Sequence, residues 1–209
     1  MQFTATTTLA LMTGLAAAYD PNPFVEPLQP WKITRFTIAL PPSSAGTNGY
    51  ATIKLAIENP NQVSAGPAPF ADGGGYFPFP PSAANCTMTG HDTADAVTSG
   101  ARCTETTQDT YGQFEVQVVD NGDNDNGAGV LDPNNLQLQF GLTYNVTQWN
   151  AHWYKTYDGT ARFALNDNLV LGQCADHNKF CSYELDPNKA PLLVTPTMTD
   201  CAGTCSNDP

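Results

Sequence analysis

Basic side chains are scarce. Eight lysines and arginines stand against twenty aspartates and glutamates, a formal net charge of −12. That balance repels a phosphate backbone or an anionic bilayer, so neither nucleic acid nor membrane is expected as a partner. Long apolar runs are missing as well: past residue 18 no segment approaches the roughly 18 uninterrupted apolar residues of a transmembrane helix. No window sustains a 3.6-residue period, which leaves amphipathic helices out, and no repeat of fixed period occurs. No Gly-x-Ser-x-Gly elbow offers a positioned nucleophile. The three histidines, His91, His152 and His177, share no metal-ligand spacing, and Tyr19 stands where a histidine-brace copper enzyme would need a mature N-terminal histidine. The chain thus reads as non-enzymatic, with no catalytic residue and no cofactor.

What is there begins with MQFTATTTLALMTGLAAA. Residues 1–18 carry no charged side chain, hold an apolar run from Leu9 to Ala18 and end on three alanines. They read as a secretory signal cut before Tyr19. Secretion makes disulfides the default fate of the six cysteines. Six cysteines allow 15 pairings and spacing alone does not choose among them. Nearest neighbours in order, Cys86–Cys103, Cys174–Cys181 and Cys201–Cys205, are the expectation. Two sequons, at Asn85 and Asn145, are candidate glycan acceptors.

Residues 19–30, YDPNPFVEPLQP, form an arm whose four prolines forbid regular structure. Trp31–Leu40 and Ala51–Glu58 are strands of one hairpin, the second alternating strictly, joined through the Asn48-Gly49 turn pair. Across Pro60–Asn85, six prolines and four glycines argue against a strand or helix of any length. Phe114–Val119 and Asn135–Val146 follow; the latter alternates Leu136, Leu138, Phe140, Leu142, Tyr144 and Val146 with mostly polar partners. Further strands are expected at His152–Tyr157, Thr160–Asn166, Asn168–Gln173, Phe180–Leu185 and Pro191–Pro196. The fold class is all-β: one antiparallel barrel or sandwich over residues 31–196, stapled by disulfides and linked by irregular Pro/Gly-rich loops, with 197–209 an appended tail carrying CAGTC.

Three places have the residue types for a site. The stretch VDNGDNDNGAG offers calcium ligands at Asn121, Asp123, Asp125 and Asp132, but it lacks the sixth-position Gly and twelfth-position Glu of a calcium loop and is flanked by strands. It reads as a hairpin connection and contact surface, with no metal. Glycosidase chemistry needs two facing carboxylates, and Glu115, the glutamate well inside a strand, falls on the wet face with Gln113 and Gln117. The aromatics Trp149, Trp153 and Tyr157 would share one strand face with Ala151 and Lys155. They are either core or a platform for a glycan or a small aromatic ligand. For Phe70, Tyr76, Phe77 and Phe79 the expectation is that they seal one end of the sheet stack.

The order of landmarks resembles the Alternaria major allergen family of fungal secreted proteins. The landmarks are a signal of the form MQFT…LAAA, Trp31-Lys32-Ile33-x-x-Phe36 on the first strand, an alternating second strand, Cys86 and Cys103, Phe114-x-Val116, a hairpin, Leu136-x-Leu138, and the short Cys174–Cys181 loop. The resemblance spans about Trp31 to Leu185. It implies a disulfide-stapled β-barrel with bridges Cys86–Cys103 and Cys174–Cys181, acting as allergen and effector against plant defence proteins. Some relatives dimerise through a cysteine ahead of the tryptophan; none precedes Trp31. The expected function is therefore surface recognition of host or cell-wall proteins by a secreted fungal protein. The alternatives are a carbohydrate-binding or glycan-active cell-wall protein and a structural cell-wall protein.

Overall fold

Period-two alternation of burial is realised most cleanly over residues 136–146. The computed structural model describes residues 28–40, 50–67, 76–91, 100–107, 111–119, 131–148, 151–175, 180–202 and 205, and in them holds fourteen strands and no helix. The signal segment 1–18, the arm up to residue 27, Phe70, Asn121, Asp123, Asp125, Trp149 and His177 lie outside the described residues.

One sheet is built from β1 (Trp31–Leu40), β2 (Tyr50–Asn59), β5 (Ser82–His91), β7 (Thr104–Glu105), β11 (Leu169–Ala175) and β12 (Phe180–Leu185). Their order is β11-β12-β1-β2-β5-β7, and β13 (Leu192–Val194) also pairs with β1, at its Trp31 end. The second sheet contains β6 (Ala101–Arg102), β8 (Gly112–Val119), β9 (Leu136–Gln148), β10 (Ala151–Phe163) and β14 (Thr197–Ala202), in the order β14-β10-β9-β8-β6. A small third sheet pairs β3 (Val63–Pro67) with β4 (Tyr76–Phe79). The sheets do not close on themselves, so of the two expected architectures the protein adopts the sandwich.

The inward side chains explain the stacking. Leu136, Leu138, Phe140, Leu142, Tyr144 and Val146 of β9 are all buried, as are Ile33, Phe36 and Ile38 of β1. Aromatic pairs bolt one sheet to the other. Trp31 meets Phe114 edge-on at 5.3 Å, and Phe36 stacks on Phe163 at 4.0 Å. Such pairs are worth about 0.5–1.5 kcal/mol beyond the area they bury. Phe79, one of the four aromatics expected to seal an end of the stack, is buried and stacks on Tyr144 at 4.6 Å; the side chains of Tyr76 and Phe77 lie outside those described.

Four expectations need correction. His152–Tyr157 and Thr160–Asn166 are not separate strands: β10 runs unbroken from Ala151 to Phe163 through Asp158-Gly159. Gly159 serves close packing, because a Cβ there would lie 2.6 Å from Val194 Cγ1 and 3.5 Å from Trp31 Cζ3. Pro60–Asn85 is not free of strands but holds β3, β4 and the start of β5. Pro67 and Pro78 are accommodated in the two-stranded satellite, where few ladder bonds are at stake, and β5 is zipped to β2 over ten residue pairs. The segment 197–209 is not merely appended, since Thr197–Ala202 pairs with β10 and Met198 packs on the core. At the other end the domain begins before Trp31: Leu28 packs on the core and the Gln29 backbone exchanges two hydrogen bonds with the Asn61 side chain.

All three expected bridges are present, Cys86–Cys103, Cys174–Cys181 and Cys201–Cys205. The first marks a crossing between sheets. β6 belongs to the second sheet and β7 to the first, with Cys103 between them donating its N–H to Phe114 O at 2.9 Å. Two residues on, Glu105 Oε1 accepts the Phe114 N–H at 3.0 Å. Residues 101–105 thus stitch one long side of the sandwich.

Candidate functional site

Because β8, β9 and β10 turn one set of side chains into the core, the alternate set faces outward, and on the second sheet that set is polar. Glu115 stands opposite Gly141, and Gly141 opposite Asp158, so one row across three strands reads carboxylate, glycine, carboxylate. Two strand spacings separate the outer Cα atoms by about 10 Å. The glycine lowers the floor of an open groove of about 470 Å3, lined by Arg102, Glu115, Gln117, Gln139, Gly141 and Asp158 among others. A Cβ on Gly141 would meet Asp158 Oδ1 at 3.5 Å and otherwise project into the groove. Glycine inside a strand weakens it unless something approaches the backbone closely.

The groove side chains hold one another. Arg102 Nε donates to Glu115 Oε1 at 3.0 Å, Gln117 Nε2 to Gln139 Oε1 at 2.7 Å, and Gln139 Nε2 to Asp158 Oδ2 at 3.4 Å. In the next row Thr143 and Thr156 approach at 3.4 Å between hydroxyls. A primary amide carries two N–H donors and two acceptor lone pairs, so each glutamine keeps hydrogen-bonding capacity beyond this ladder. Fixed amides, carboxylates and hydroxyls over a backbone floor are suited to a ligand rich in hydroxyl groups. Glu115 is committed to Arg102, and the side chains of Glu115 and Arg102 are 56% and 79% exposed.

Several expected site residues are placed elsewhere. Glu115 is exposed on the wet face as its alternation dictates, beside Gln113 and Gln117. Trp153 and Tyr157, however, are only 5% and 2% exposed, so they form core and no binding platform. They share the inner face with Lys155, which is buried and engaged there too. Asp132 closes a turn, its Oδ1 accepting from the Asn134 N–H at 2.9 Å and the Asn134 amide at 2.8 Å. Among the described residues no cluster of His, Cys, Asp and Glu is arranged to hold a metal ion. The sequon asparagines Asn85 and Asn145 are both exposed, on opposite sheets; Asn145 Oδ1 lies 2.9 Å from His152 Nε2. Sequence reasoning missed Asp158 because Asp-Gly looked like a break between strands. Extending the alternation of Trp153, Lys155 and Tyr157 by one residue puts Asp158 on the face of Glu115.

A second polar cluster lies inside. Asn59 Nδ2 donates to Tyr144 Oη at 2.7 Å, and Asn59 Oδ1 accepts from both Asn61 nitrogens. Burial pushes the Tyr144 phenol up to about 12, against the pull of Ser82 and Asn59 beside it. Burial likewise raises Glu105, with the Phe114 N–H opposing. Glu105 Oε2 is a buried side-chain oxygen left without a hydrogen-bond partner among the described residues. The adjoining void, about 10 Å3, is too small for any organic ligand. This cluster holds the sheets together.

No family model matches the chain, and no curated protein or solved structure matches it.

Proposed function

We propose that the protein is a secreted carbohydrate-binding β-sandwich that recognises a glycan non-covalently in the groove over Gly141. The observation that carries this reading is the in-register row Glu115–Gly141–Asp158, overlaid by the Gln117–Gln139–Asp158 hydrogen-bond ladder. It offers a sugar ring close approach to the backbone and a set of oriented polar groups, the usual economy of a small-molecule site. Three disulfides fit an oxidising, extracellular setting, and the expected signal at residues 1–18 agrees with it. Affinity electrophoresis through gels containing soluble cell-wall polysaccharides tests the reading. The wild type is retarded by at least one of them and Gln139→Leu is not; unretarded migration in all of them rejects it.

Recognition of a host protein, which the allergen-like resemblance implies, is favoured by a different feature. Val170 and Leu171 on the edge strand β11 and Leu193 on β13 are exposed by 39%, 57% and 57%. These side chains belong to the other sheet, so a protein partner there and a glycan in the groove address separate faces. Retention of a defence protein from plant apoplastic fluid that is lost on Leu171→Asp and unaffected by Gln139→Leu supports this second reading.

A further inference from the structure

The charge of the groove is lopsided. Its one basic lining residue among those described, Arg102, is already engaged by Glu115. The Asp158 carboxylate leans over the glycine floor and is bonded there by a neutral amide, Gln139. One negative charge therefore stands without a cationic partner among the described residues, at the β10 side of the groove. The whole chain carries −12. A neutral or acidic glycan would leave Asp158 facing a ligand that does not balance it.

From this complementarity we propose that the groove selects an amino sugar: a β-linked oligosaccharide of glucosamine, whose protonated ring amine sits on Asp158 over Gly141 while its hydroxyls meet Gln117 and Gln139. The proposal rests on the glycan-binding reading above and adds the ligand class. An ammonium is compact and carries three donors. Those donors match a carboxylate oxygen above a floor without a Cβ, and the summed acidic field concentrates cations at the groove. N-acetylation removes the charge and adds bulk at the atom that meets Asp158, so a fully acetylated oligosaccharide binds less well.

Calorimetric titration with a short glucosamine oligosaccharide, its N-acetylated counterpart and oligolysine, in mildly acidic buffer at low and high salt, separates the outcomes. The glucosamine oligosaccharide is expected to bind about 1.5- to fivefold more tightly than the acetylated one, the range an exposed ion pair supplies. High salt is expected to erase that advantage. Asp158→Asn should bring the two sugars to the same Kd, and Glu115→Gln, which frees Arg102 beside the site, should weaken the charged sugar further. Equal or tighter binding of the acetylated sugar by the wild type overturns the inference and leaves the glycan reading standing. Oligolysine displacing the sugar with equal affinity makes the groove a site for basic peptides and overturns it as well. If neither sugar binds and the polysaccharide gels also show no retardation, the underlying reading falls with it.

Discussion

Gly141 and Gly159 sit on neighbouring strands, one facing the groove and the other the core, and the same substitution at each separates site from scaffold. At Gly159 an added Cβ would lie 2.6 Å from Val194 Cγ1 and 3.1 Å from Thr195 O, on the inner side of β10. Overpacking of this kind costs about 1–3 kcal/mol, offset by about 0.4–1 kcal/mol because alanine restricts the unfolded chain. Gly159→Ala is then destabilising by about 1–2 kcal/mol, which lowers Tm by about 2–8 °C in a domain of this size. At Gly141 the added methyl would meet Asp158 Oδ1 at 3.5 Å, an ordinary contact, so Gly141→Ala leaves Tm unchanged or slightly raised. Its cost falls on the ligand, which is lifted off the floor and loses about tenfold in affinity, or ~1.4 kcal/mol. Thermal denaturation of both variants, with affinity electrophoresis in the retarding polysaccharide, reads both effects. A Gly141→Ala protein that melts as low as Gly159→Ala, or that binds as tightly as the wild type, refutes the assignment of the glycine floor to a ligand.

Two further outcomes concern the buried cluster. Since burial raises Glu105, the native state keeps a proton that the unfolded chain releases, and stability declines as pH rises from the ordinary carboxyl range through the folded value. Glu105→Gln keeps an acceptor for the Phe114 N–H and cannot ionise, so it flattens that decline. Urea midpoints across a pH series that retain the wild-type slope in the variant contradict this. Tyr144→Phe leaves Asn59 Nδ2 without its acceptor and should cost about 1–3 kcal/mol at neutral pH. It should also abolish the loss of stability that the wild type suffers as pH climbs from the phenol's ordinary 10.0 toward about 12. A change in urea unfolding free energy within about 0.5 kcal/mol would show that the bond carries nothing.

Where one face of a strand is buried and filled with large apolar residues, the sequence displays it: β9 is legible from alternation, and β1 from its β-branched and aromatic content. β5 was illegible because SAANCTMTGH is poor in β-branched and aromatic residues, and it is held by pairing to β2 and by the bridge at Cys86. The aromatic run after Gln148 was legible as a shared face, but its side could be settled only by the sheet that packs against it. Trp153 and Tyr157 turn inward, and that leaves the outward row to Asp158. The groove itself joins β6, β8, β9 and β10, so no local window contains it. Glu115 and Asp158 are 43 positions apart in the chain and become neighbours only across Gly141.

The stitched side of the sandwich has a mechanical consequence. Arg102 walls the groove, Cys103 is covalently tied to Cys86, and Glu105 grips β8, all within four consecutive residues of chain. The two sheets are therefore bound like the covers of a book along this spine, with β11 and β14 outermost at the opposite margin. The groove lies against the spine, so its Arg102 wall is anchored through the disulfide of the next residue. Reducing Cys86–Cys103 would loosen the spine first, and the wall with it.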